Sequence, residues 1–453
     1  MNLLTPRKNF IIFSFSKDLL ERVLLVVKKH ENIKAASIDR SFSTARSTLE
    51  DMVRPDGFVL DSHYPPVPLK GRSSVLYRRP VVAGFDYSNL NKPEGDAEVY
   101  VIRAQSDNRT VIENFKNRKP DEVVGIFADP KIETADQSYC GDESVGDSRT
   151  VAQKLGIQEI HLTGKNVRIA IVDTGIHNEG NINSSKGWAP SGINVKPGHA
   201  PRQHGTMCAF DAQICAPDAE LLDYALLLSP QPDPDFYVGD AIAAYADLVD
   251  LIHTQPGPLV VSNSWNMYDL STDYPVGDPR NYSANINHPF NEIVASLIAA
   301  GADVLFAAGN CGEQCPDNRC AGHDGPGKSI HGVSSHPDTT TIAAVTTNDI
   351  RLGYSSQGPG GISQRKPDLA AYSQFKGSGV FGDVDGGTSA ACPVAAGVVA
   401  AVREKISNSV VNPQALKAIL QRSAIDVNGG GFDYDLGYGI INPKGILNTI
   451  RSN

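Results

Sequence analysis

The sequence predicts an α/β protein with a mostly parallel, twisted sheet flanked by helices, preceded by a smaller α+β region at the N-terminus. From Val167 onward, short apolar runs rich in β-branched residues alternate with longer segments of helical period, which is typical of a parallel sheet wrapped by helices. The first 147 residues differ in kind from this pattern. A length of 453 residues suits one large domain and a smaller one.

The larger domain is expected at residues 148–453. Its strands are predicted at Val167–Val172, Glu220–Ala225, Leu259–Ser262, Asp303–Ala307 and Thr341–Val345. Its helices are predicted from apolar residues at three- and four-residue spacing, at Gly205–Ala216, Gly239–His253, Asn291–Ala300, Thr388–Ile406 and Pro413–Ser423.

The N-terminal part is divided into residues 1–96, of unknown role, and residues 97–147, a smaller unit with a linker. The first segment is predicted to form a strand, a helix and a strand at Phe10–Phe15, Leu19–Lys29 and Ile33–Ile38. The second is predicted to repeat that order at Val99–Ala104, Thr110–Asn117 and Glu122–Phe127. Proline-rich, turn-forming stretches separate the two segments.

Charge and hydropathy exclude several classes of function. The net charge of −10 and the lack of any lysine or arginine run argue against nucleic-acid binding. No stretch approaches the roughly 18 apolar residues that a membrane helix needs. The apolar run after Arg7 and Lys8 is too short for a signal peptide. We therefore expect a cytoplasmic protein, with reduced thiols as the default for its seven cysteines.

Two polar residues stand where the predicted elements begin or end. Asp173 directly follows the strand Val167–Val172, at the carboxyl end of a parallel strand, where open α/β sheets gather their sites. His204 opens a helix beside Gly205, a residue that permits close approach of another backbone. Each residue taken alone also fits a structural role, an aspartate capping a turn or a structural histidine.

A serine and an asparagine add to this pattern. Ser389 opens a long helix of small residues, so its hydroxyl faces the positive end of the helix, which favours the negative charge of a nucleophilic attack. Asn310 ends the apolar run from Val304 that contains this predicted strand, directly after Gly309, where a rigid amide can donate a hydrogen bond to an oxyanion. A serine N-cap and a turn asparagine are the alternative interpretations.

In the order Asp, His, Asn, Ser, these segments resemble the subtilisin-like serine proteases, or subtilases (peptidase family S8). The three triad segments match at residues 171–175, 204–206 and 387–397, and residues 307–310 resemble the oxyanion segment of the family. The resemblance extends from near Val151 to the C-terminus. It implies a subtilisin-like three-layer fold.

The resemblance also implies a serine endopeptidase that acts on protein or peptide substrates and requires no cofactor. Asp173, His204 and Ser389 would form the charge-relay triad, with Asn310 as oxyanion donor. The resemblance further implies that four residues bind the substrate, namely Ser264, Trp265, Asn266 and Gly309. Trp265 and Asn266 stand where the family commonly has a small apolar residue and a glycine, so they are expected to reshape the primary specificity pocket. Many subtilases bind calcium, but no loop here has a ligand pattern that places it.

A cysteine cluster follows the oxyanion segment directly. Three thiolates and an imidazole, from Cys311, Cys315, Cys320 and His323, would make a valid zinc set. Their spacings miss the usual Cys-x₂-Cys pairs, however, so no metal site is predicted. Reduced cysteines in a specificity loop, or one disulfide, are the interpretations left open.

Residues 98–133 resemble the small strand-helix-strand propeptide that precedes many subtilase domains. This resemblance implies that the N-terminal region docks on the peptidase domain, and that the segment between Ile132 and Gly146 threads near Ser389 and is cut there by the enzyme itself.

The alternative to a serine endopeptidase is a catalytically silent binding or regulatory protein with the subtilase fold. An α/β-hydrolase esterase is excluded by the motif order and by the lack of Gly-x-Ser-x-Gly around Ser389.

Overall fold

The computed structural model describes residues 21–53, 58–69, 99–106, 122–135, 143–229 and 235–451. The predicted strand Phe10–Phe15 and the predicted helix Thr110–Asn117 lie outside these ranges. None of the helices within them combines the length and the apolar character that crossing a membrane requires.

The elements are numbered in chain order. The strands are β1 (Glu21–Lys28), β2 (Val59–Leu60), β3 (Val67–Pro68), β4 (Val99–Ser106), β5 (Val123–Ala128), β6 (Lys131–Thr134), β7 (Arg168–Val172), β8 (Ser184–Trp188), β9 (Glu220–Tyr224), β10 (Phe236–Tyr237), β11 (Leu259–Asn263), β12 (Trp265–Asn266), β13 (Asp303–Ala307), β14 (Thr340–Val345) and β15 (Leu369–Tyr372). The helices are α1 (Glu31–Ile38), α2 (Arg46–Val53), α3 (Ser148–Leu155), α4 (Ile157–Ile160), α5 (His204–Gln213), α6 (Val238–Thr254), α7 (Pro289–Ala299), α8 (Gly387–Arg403), α9 (Pro413–Ser423) and α10 (Pro443–Arg451).

The larger domain is built on a seven-stranded sheet of order β15-β14-β13-β11-β7-β9-β8. Every neighbouring pair in this sheet is parallel. The five predicted strands are all present, and their ends differ by at most one residue from the prediction. The two outermost strands were not predicted, because Ser184–Trp188 is a mainly polar edge strand and Leu369–Tyr372 is only four residues long.

Helices cover both faces of this sheet and complete a three-layer α/β fold. One apolar cluster contains residues of α5, α8 and α9, and a second contains residues of α6 and α7. Every residue of α8 is buried. This burial explains why α8 is made of small side chains, since the helix runs through the interior between the sheet and α5.

The N-terminal region forms a separate sheet of order β2-β4-β1-β5, with β3 beside β4. The predicted helix Leu19–Lys29 is wrong, because Glu21–Lys28 is the central strand β1. The predicted strand Ile33–Ile38 is also wrong, because Glu31–Ile38 is helix α1. The side chains of β1 alternate between two apolar clusters, so its run of apolar residues has no polar face, and periodicity cannot separate such a strand from a buried helix.

This sheet takes strands from both predicted N-terminal segments, residues 1–96 and 97–147, and it packs on α6 of the larger domain. Leu24 and Val26 of β1 belong to the same apolar cluster as Val238 and Ile242 of α6. Burial of these side chains on both sides stabilises the docked arrangement through the hydrophobic effect.

A buried polar cluster lies at the same contact. The guanidinium of Arg103 is 2.8 Å from Asp129 Oδ2 and 2.9 Å from Asp240 Oδ1. The amide of Gly239 donates to Asp129 Oδ1 at 2.7 Å, and Tyr64 donates its hydroxyl to the Gly239 carbonyl at 2.8 Å. Because Asp240 and Gly239 belong to α6, these contacts fix the register of the N-terminal sheet on that helix.

Candidate active site

Asp173 lies at the carboxyl end of the central strand β7 and is fully buried. Its Oδ1 accepts a hydrogen bond from the amide of Thr174 at 2.7 Å and lies 2.8 Å from Nδ1 of His204. A carboxylate beside Nδ1 holds the imidazole with its proton on that nitrogen, which leaves Nε2 as the basic atom.

His204 is the first residue of α5, and the next residue brings this helix against β7. A methyl group on Gly205 would lie 2.4 Å from the carbonyl oxygen of Gly175, so no larger residue fits there. The Gly205 amide also donates to Thr174 Oγ1 at 2.9 Å. These contacts hold the start of α5, and with it His204, beside Asp173.

Ser389 is the third residue of α8 and is fully buried. A sulfur atom of α5 contacts all three residues: Cys208 Sγ is 3.7 Å from Asp173 Oδ2, 3.8 Å from His204 Nδ1 and 3.7 Å from the backbone carbonyl oxygen of Ser389. The three predicted triad residues, far apart in the chain, therefore surround one buried side chain.

Asn310 follows β13 and is also fully buried. Its Oδ1 accepts hydrogen bonds from the amide and the hydroxyl of Thr388, both at 2.9 Å. The same hydroxyl oxygen accepts from the Gly309 amide at 3.1 Å. With its oxygen held in this way, the Asn310 side chain directs its Nδ2 to the carbonyl oxygen of Ala135.

A strand of the N-terminal region occupies the space in front of these residues. Strand β6 pairs antiparallel with β12 on one side and with β10 on the other. At its end, the Ala135 amide donates to the carbonyl oxygen of Ser264 at 2.8 Å. Residues 131–135, the β6 segment, lie as an extended peptide between two edge strands of the larger domain.

The carbonyl oxygen of Ala135 is the point where the site residues converge. It accepts a hydrogen bond from Nδ2 of Asn310 at 2.9 Å and another from the hydroxyl of Ser389. The side chain of Ala135 is fully buried. The hydroxyl and amide predicted to act on a substrate carbonyl thus both contact a carbonyl of the protein's own chain.

The four residues expected to bind substrate take different positions. Ser264 contacts the β6 segment through its backbone, and its hydroxyl donates to the Ser389 carbonyl at 3.0 Å. Trp265 does not reshape a pocket, because its indole packs in the core against Phe290 and Phe306, with ring centroids 5.8 and 5.4 Å away. Side chains of successive residues on a strand point to opposite faces. The indole of Trp265 therefore points into the core, and only the backbone of this residue pairs with the peptide.

Asn266 points to the opposite side of β12. Its Nδ2 donates to the Ala307 carbonyl at 3.1 Å and its Oδ1 accepts from Ser334 Oγ at 2.5 Å. A methyl group on Gly309 would lie 3.7 Å from this Nδ2. The Asn266 amide therefore fills space beside the strand end that carries Gly309.

Burial controls the ionisation of groups around the triad. It raises the pKa of the Cys208 thiol well above its ordinary value, and the negative charge of Asp173 adds to this effect. Burial, together with the charge of Asp385, also raises the pKa of Asp211 on α5. The pKa of Asp385 is raised by burial too. The Cys208 thiol therefore stays protonated at neutral pH and is not an activated nucleophile.

Among the described residues, Asp173, His204 and Cys208 are the group whose ligand atoms lie close enough to hold a metal ion, within 4.8 Å of one another. A nitrogen, a sulfur and a single carboxylate do not suit calcium, which takes six to eight oxygen ligands. Calcium therefore stays without an assigned position.

The cysteine cluster after Asn310 contains a disulfide. Cys311 and Cys320 are bonded to each other, and Cys315 is also disulfide-bonded. The expectation of reduced thiols is therefore wrong for these residues and holds for Cys208, Cys215 and Cys392. A zinc site of three thiolates is not available in this state, because the sulfur atoms are already bonded.

Comparison with known proteins identifies the family. A family model described as the subtilase family, peptidase S8, matches residues 164–439, more than half of the chain. The chain belongs to the subtilase family. The matched residues include Asp173, His204, Asn310 and Ser389, whereas Ala135 precedes them in the chain.

Two curated subtilases show how far the similarity extends. The human membrane-bound transcription factor site-1 protease is 27% identical over 329 residues, which cover 67% of this chain and 28% of that protein. Serine protease AprX of Bacillus subtilis (strain 168) is 25% identical over 291 residues, which cover 57% of this chain and 61% of AprX. The chain thus matches less than two thirds of either relative.

A solved structure shares the fold over almost the whole chain. Fervidolysin from Fervidobacterium pennivorans, a keratinolytic enzyme related to subtilisin, aligns with a TM-score of 0.56 at 15% identity. The alignment covers 95% of this subtilase and 61% of fervidolysin.

Three residues of this site were not predicted from the sequence. Thr388 stood inside a recognised motif without a role of its own. Cys208 lies one helical turn after His204, and this spacing of four residues would have placed it on the same helix face. Arg319 lies in the loop between Cys311 and Cys320 and donates a hydrogen bond to the Thr134 carbonyl of β6, a contact that no pattern in the sequence indicates.

Proposed function

We propose that this subtilase is a serine endopeptidase that acts through Asp173, His204 and Ser389, and that it cleaves its own chain after Ala135. The observation that supports this proposal best is the Ala135 carbonyl oxygen, which accepts hydrogen bonds from both Ser389 and Asn310. A carbonyl between a nucleophile and an oxyanion donor is the arrangement that an acyl transfer requires.

In this mechanism His204 accepts the proton of the Ser389 hydroxyl while Oγ attacks the carbonyl carbon of Ala135. Asp173 keeps the imidazole in the tautomer that this transfer needs. The tetrahedral oxyanion is stabilised by Nδ2 of Asn310 and by the backbone amide of Ser389. The bond to Asp136 then breaks, its amine takes the proton from His204, and water releases the acyl-enzyme.

Other protein or peptide substrates would bind where β6 lies. Strands β10 and β12 offer backbone hydrogen bonds on both sides of an extended peptide, an interaction that does not depend on the peptide's sequence. Selectivity would then come from the side chains that face the peptide.

Intact mass measurement of the purified full-length chain tests this proposal. We expect the wild type to yield fragments ending at Ala135 and beginning at Asp136, and Ser389→Ala to stay whole. Ser296→Ala is the matched control, because the Ser296 hydroxyl only caps a carbonyl within α7, and it should be cut like the wild type. A full-length mass for the wild type as well as for Ser389→Ala would remove self-cleavage from the proposal.

A fluorophosphonate probe tests the nucleophile separately. Labelling of the wild type and of Ser296→Ala, but not of Ser389→Ala, is expected for an active serine hydrolase. A chain that is neither cut nor labelled would instead be a catalytically silent subtilase, with β6 as a permanent occupant of its cleft.

A further inference from the structure

A short loop closed by a disulfide borders the cleft. This loop, residues 311–320, directly follows Asn310, and a backbone hydrogen bond joins it to that residue. The Asp317 amide donates to the Asn310 carbonyl oxygen at 2.9 Å, and Cys320 Sγ lies 3.8 Å from the same oxygen. The loop is therefore positioned by the residue that supplies the oxyanion donor.

One side chain of the 311–320 loop, Arg319, is held rigidly. Its Nε and Nη2 donate to the two carboxylate oxygens of Asp317 at 3.0 and 2.8 Å. The guanidinium also lies over the ring of Tyr268, 4.2 Å from its centroid. A bidentate carboxylate and an aromatic face together fix the plane of a guanidinium, so the direction of its remaining nitrogen, Nη1, is set.

This nitrogen points at the β6 segment. Nη1 of Arg319 donates to the carbonyl oxygen of Thr134 at 3.0 Å and lies 4.0 Å from Oε1 of Glu133. In the register of the cleft, Thr134 and Glu133 are the second and third residues before the bond that follows Ala135. Arg319 thus contacts the backbone of one of these residues and the charge of the other.

We propose that Arg319 is a specificity-determining residue that selects an acidic side chain at the third position before the cleaved bond. This inference rests on the proposed function, because it defines that position by the bond after Ala135. The hydrogen bond to Thr134 favours any peptide in the cleft, whereas the contact with Glu133 favours only an acidic one. Since Arg319 is already held by Asp317 and Tyr268, little side-chain freedom is lost when a substrate binds.

Lys131 is a second cation near the same carboxylate, with its Nζ 3.6 Å from Glu133 Oε1. It belongs to the β6 segment itself and would leave with it, so it cannot select external substrates. In a double-mutant cycle of residues 133 and 319, the Lys131–Glu133 contact is lost in both variants in which residue 133 is changed. Its loss therefore cancels when the coupling energy between residues 133 and 319 is calculated.

A charge exchange in the full-length chain tests the proposal. We expect Arg319→Glu and Glu133→Arg each to slow self-cleavage about fivefold or more, as expected when a partly exposed ion pair is lost or reversed. The double exchange should be cut faster than either single variant, because it restores a pair of opposite charges, while the hydrogen bond to Thr134 stays lost. Lys328→Glu is the matched control: it changes the charge of an exposed residue near the loop and should leave the rate unchanged.

A second measurement does not depend on cleavage. In the Ser389→Ala chain, hydrogen exchange of the amides of residues 131–135 should accelerate in Arg319→Glu and return toward the original rate in the double exchange. Arg319→Gln, a smaller change, should show an intermediate effect if the fold is intact. Failure of the double exchange to restore protection would overturn the inference. Restored protection in a chain that never cleaves itself would instead leave the Arg319 contact standing and reject the peptidase activity.

Discussion

The side-chain amide of Asn310 donates a 2.9 Å hydrogen bond to the carbonyl oxygen of Ala135. Because the oxygen of the same amide is held by Thr388, the donor is oriented before any charge develops on the carbonyl. A fixed donor of this kind stabilises a transition state without the cost of reorganisation.

Asn310→Ala is expected to lower the rate of self-cleavage about 10²- to 10³-fold, a range established on subtilisin. The cause is the lost hydrogen bond to the developing oxyanion, so hydrogen-exchange protection of residues 131–135 should change little. Time-resolved intact mass gives the rate. A loss of less than about threefold would exclude Asn310 as an oxyanion donor.

Thr388→Val should slow cleavage about tenfold, because the side chain loses the hydroxyl that orients the Asn310 amide. Thr388→Ser keeps that hydroxyl and is the matched control, with a rate close to the wild type. Since Thr388 touches neither the imidazole nor the carbonyl, the pH profile of cleavage should keep its shape in both variants. Equal rates for the valine and serine variants would contradict this positioning role.

Asn266 is expected to restrict the residue before the cleaved bond to a small one, because its amide fills space beside Gly309. Ala135→Leu should therefore slow self-cleavage. Adding Asn266→Gly, which opens the space, should raise the cleavage rate of the Ala135→Leu chain at least about tenfold. Intact mass of the single and double variants measures this. If Ala135→Leu is cut as fast as the wild type, the pocket is not restricted.

His288 makes stability depend on pH. Its Nε2 donates to the Ala128 carbonyl of the N-terminal sheet at 2.9 Å, and its Nδ1 accepts from the Phe290 amide at 3.3 Å. Burial lowers the pKa of His288 from 6.5 to about 4, so the unfolded chain binds more protons between these values. The free energy of unfolding should therefore fall as the pH drops from about 6.5 to 4, by up to about 3 kcal/mol.

Denaturant unfolding at several pH values between about 4 and 7 measures that dependence. His288→Gln removes the titrating group, and its curve should be flatter over this range than that of the wild type. Parallel curves for the two proteins would assign the pH dependence to other residues.

The core of the larger domain could be predicted from the sequence because its five predicted strands are almost entirely buried apolar runs, and two of them are followed by a polar site residue. Asp173 and Asn310 were recognised at such ends, and the Ala135 contact falls within the segment predicted to thread past Ser389. In β1 the same continuous apolar character was misleading, since a buried strand and a buried helix share it.

Side-chain directions could not be predicted. Trp265 and Asn266 are adjacent, and only the pleat of β12 decides that the first enters the core and the second lies beside Gly309. The contacts of Arg319 depend on how the 311–320 loop closes, and the cysteine spacing does not decide between reduced thiols and a disulfide there.

The docking of the N-terminal sheet on α6 has a consequence for an enzyme that has cut itself. Breaking the bond after Ala135 would remove the covalent link but none of the contacts of Leu24, Val26, Arg103 or Asp129 with α6. The N-terminal fragment would then bind the larger domain reversibly, so the bound fraction would depend on protein concentration. When a cleaved preparation is diluted, the fragment should dissociate, and the turnover rate of an added peptide per enzyme molecule should rise.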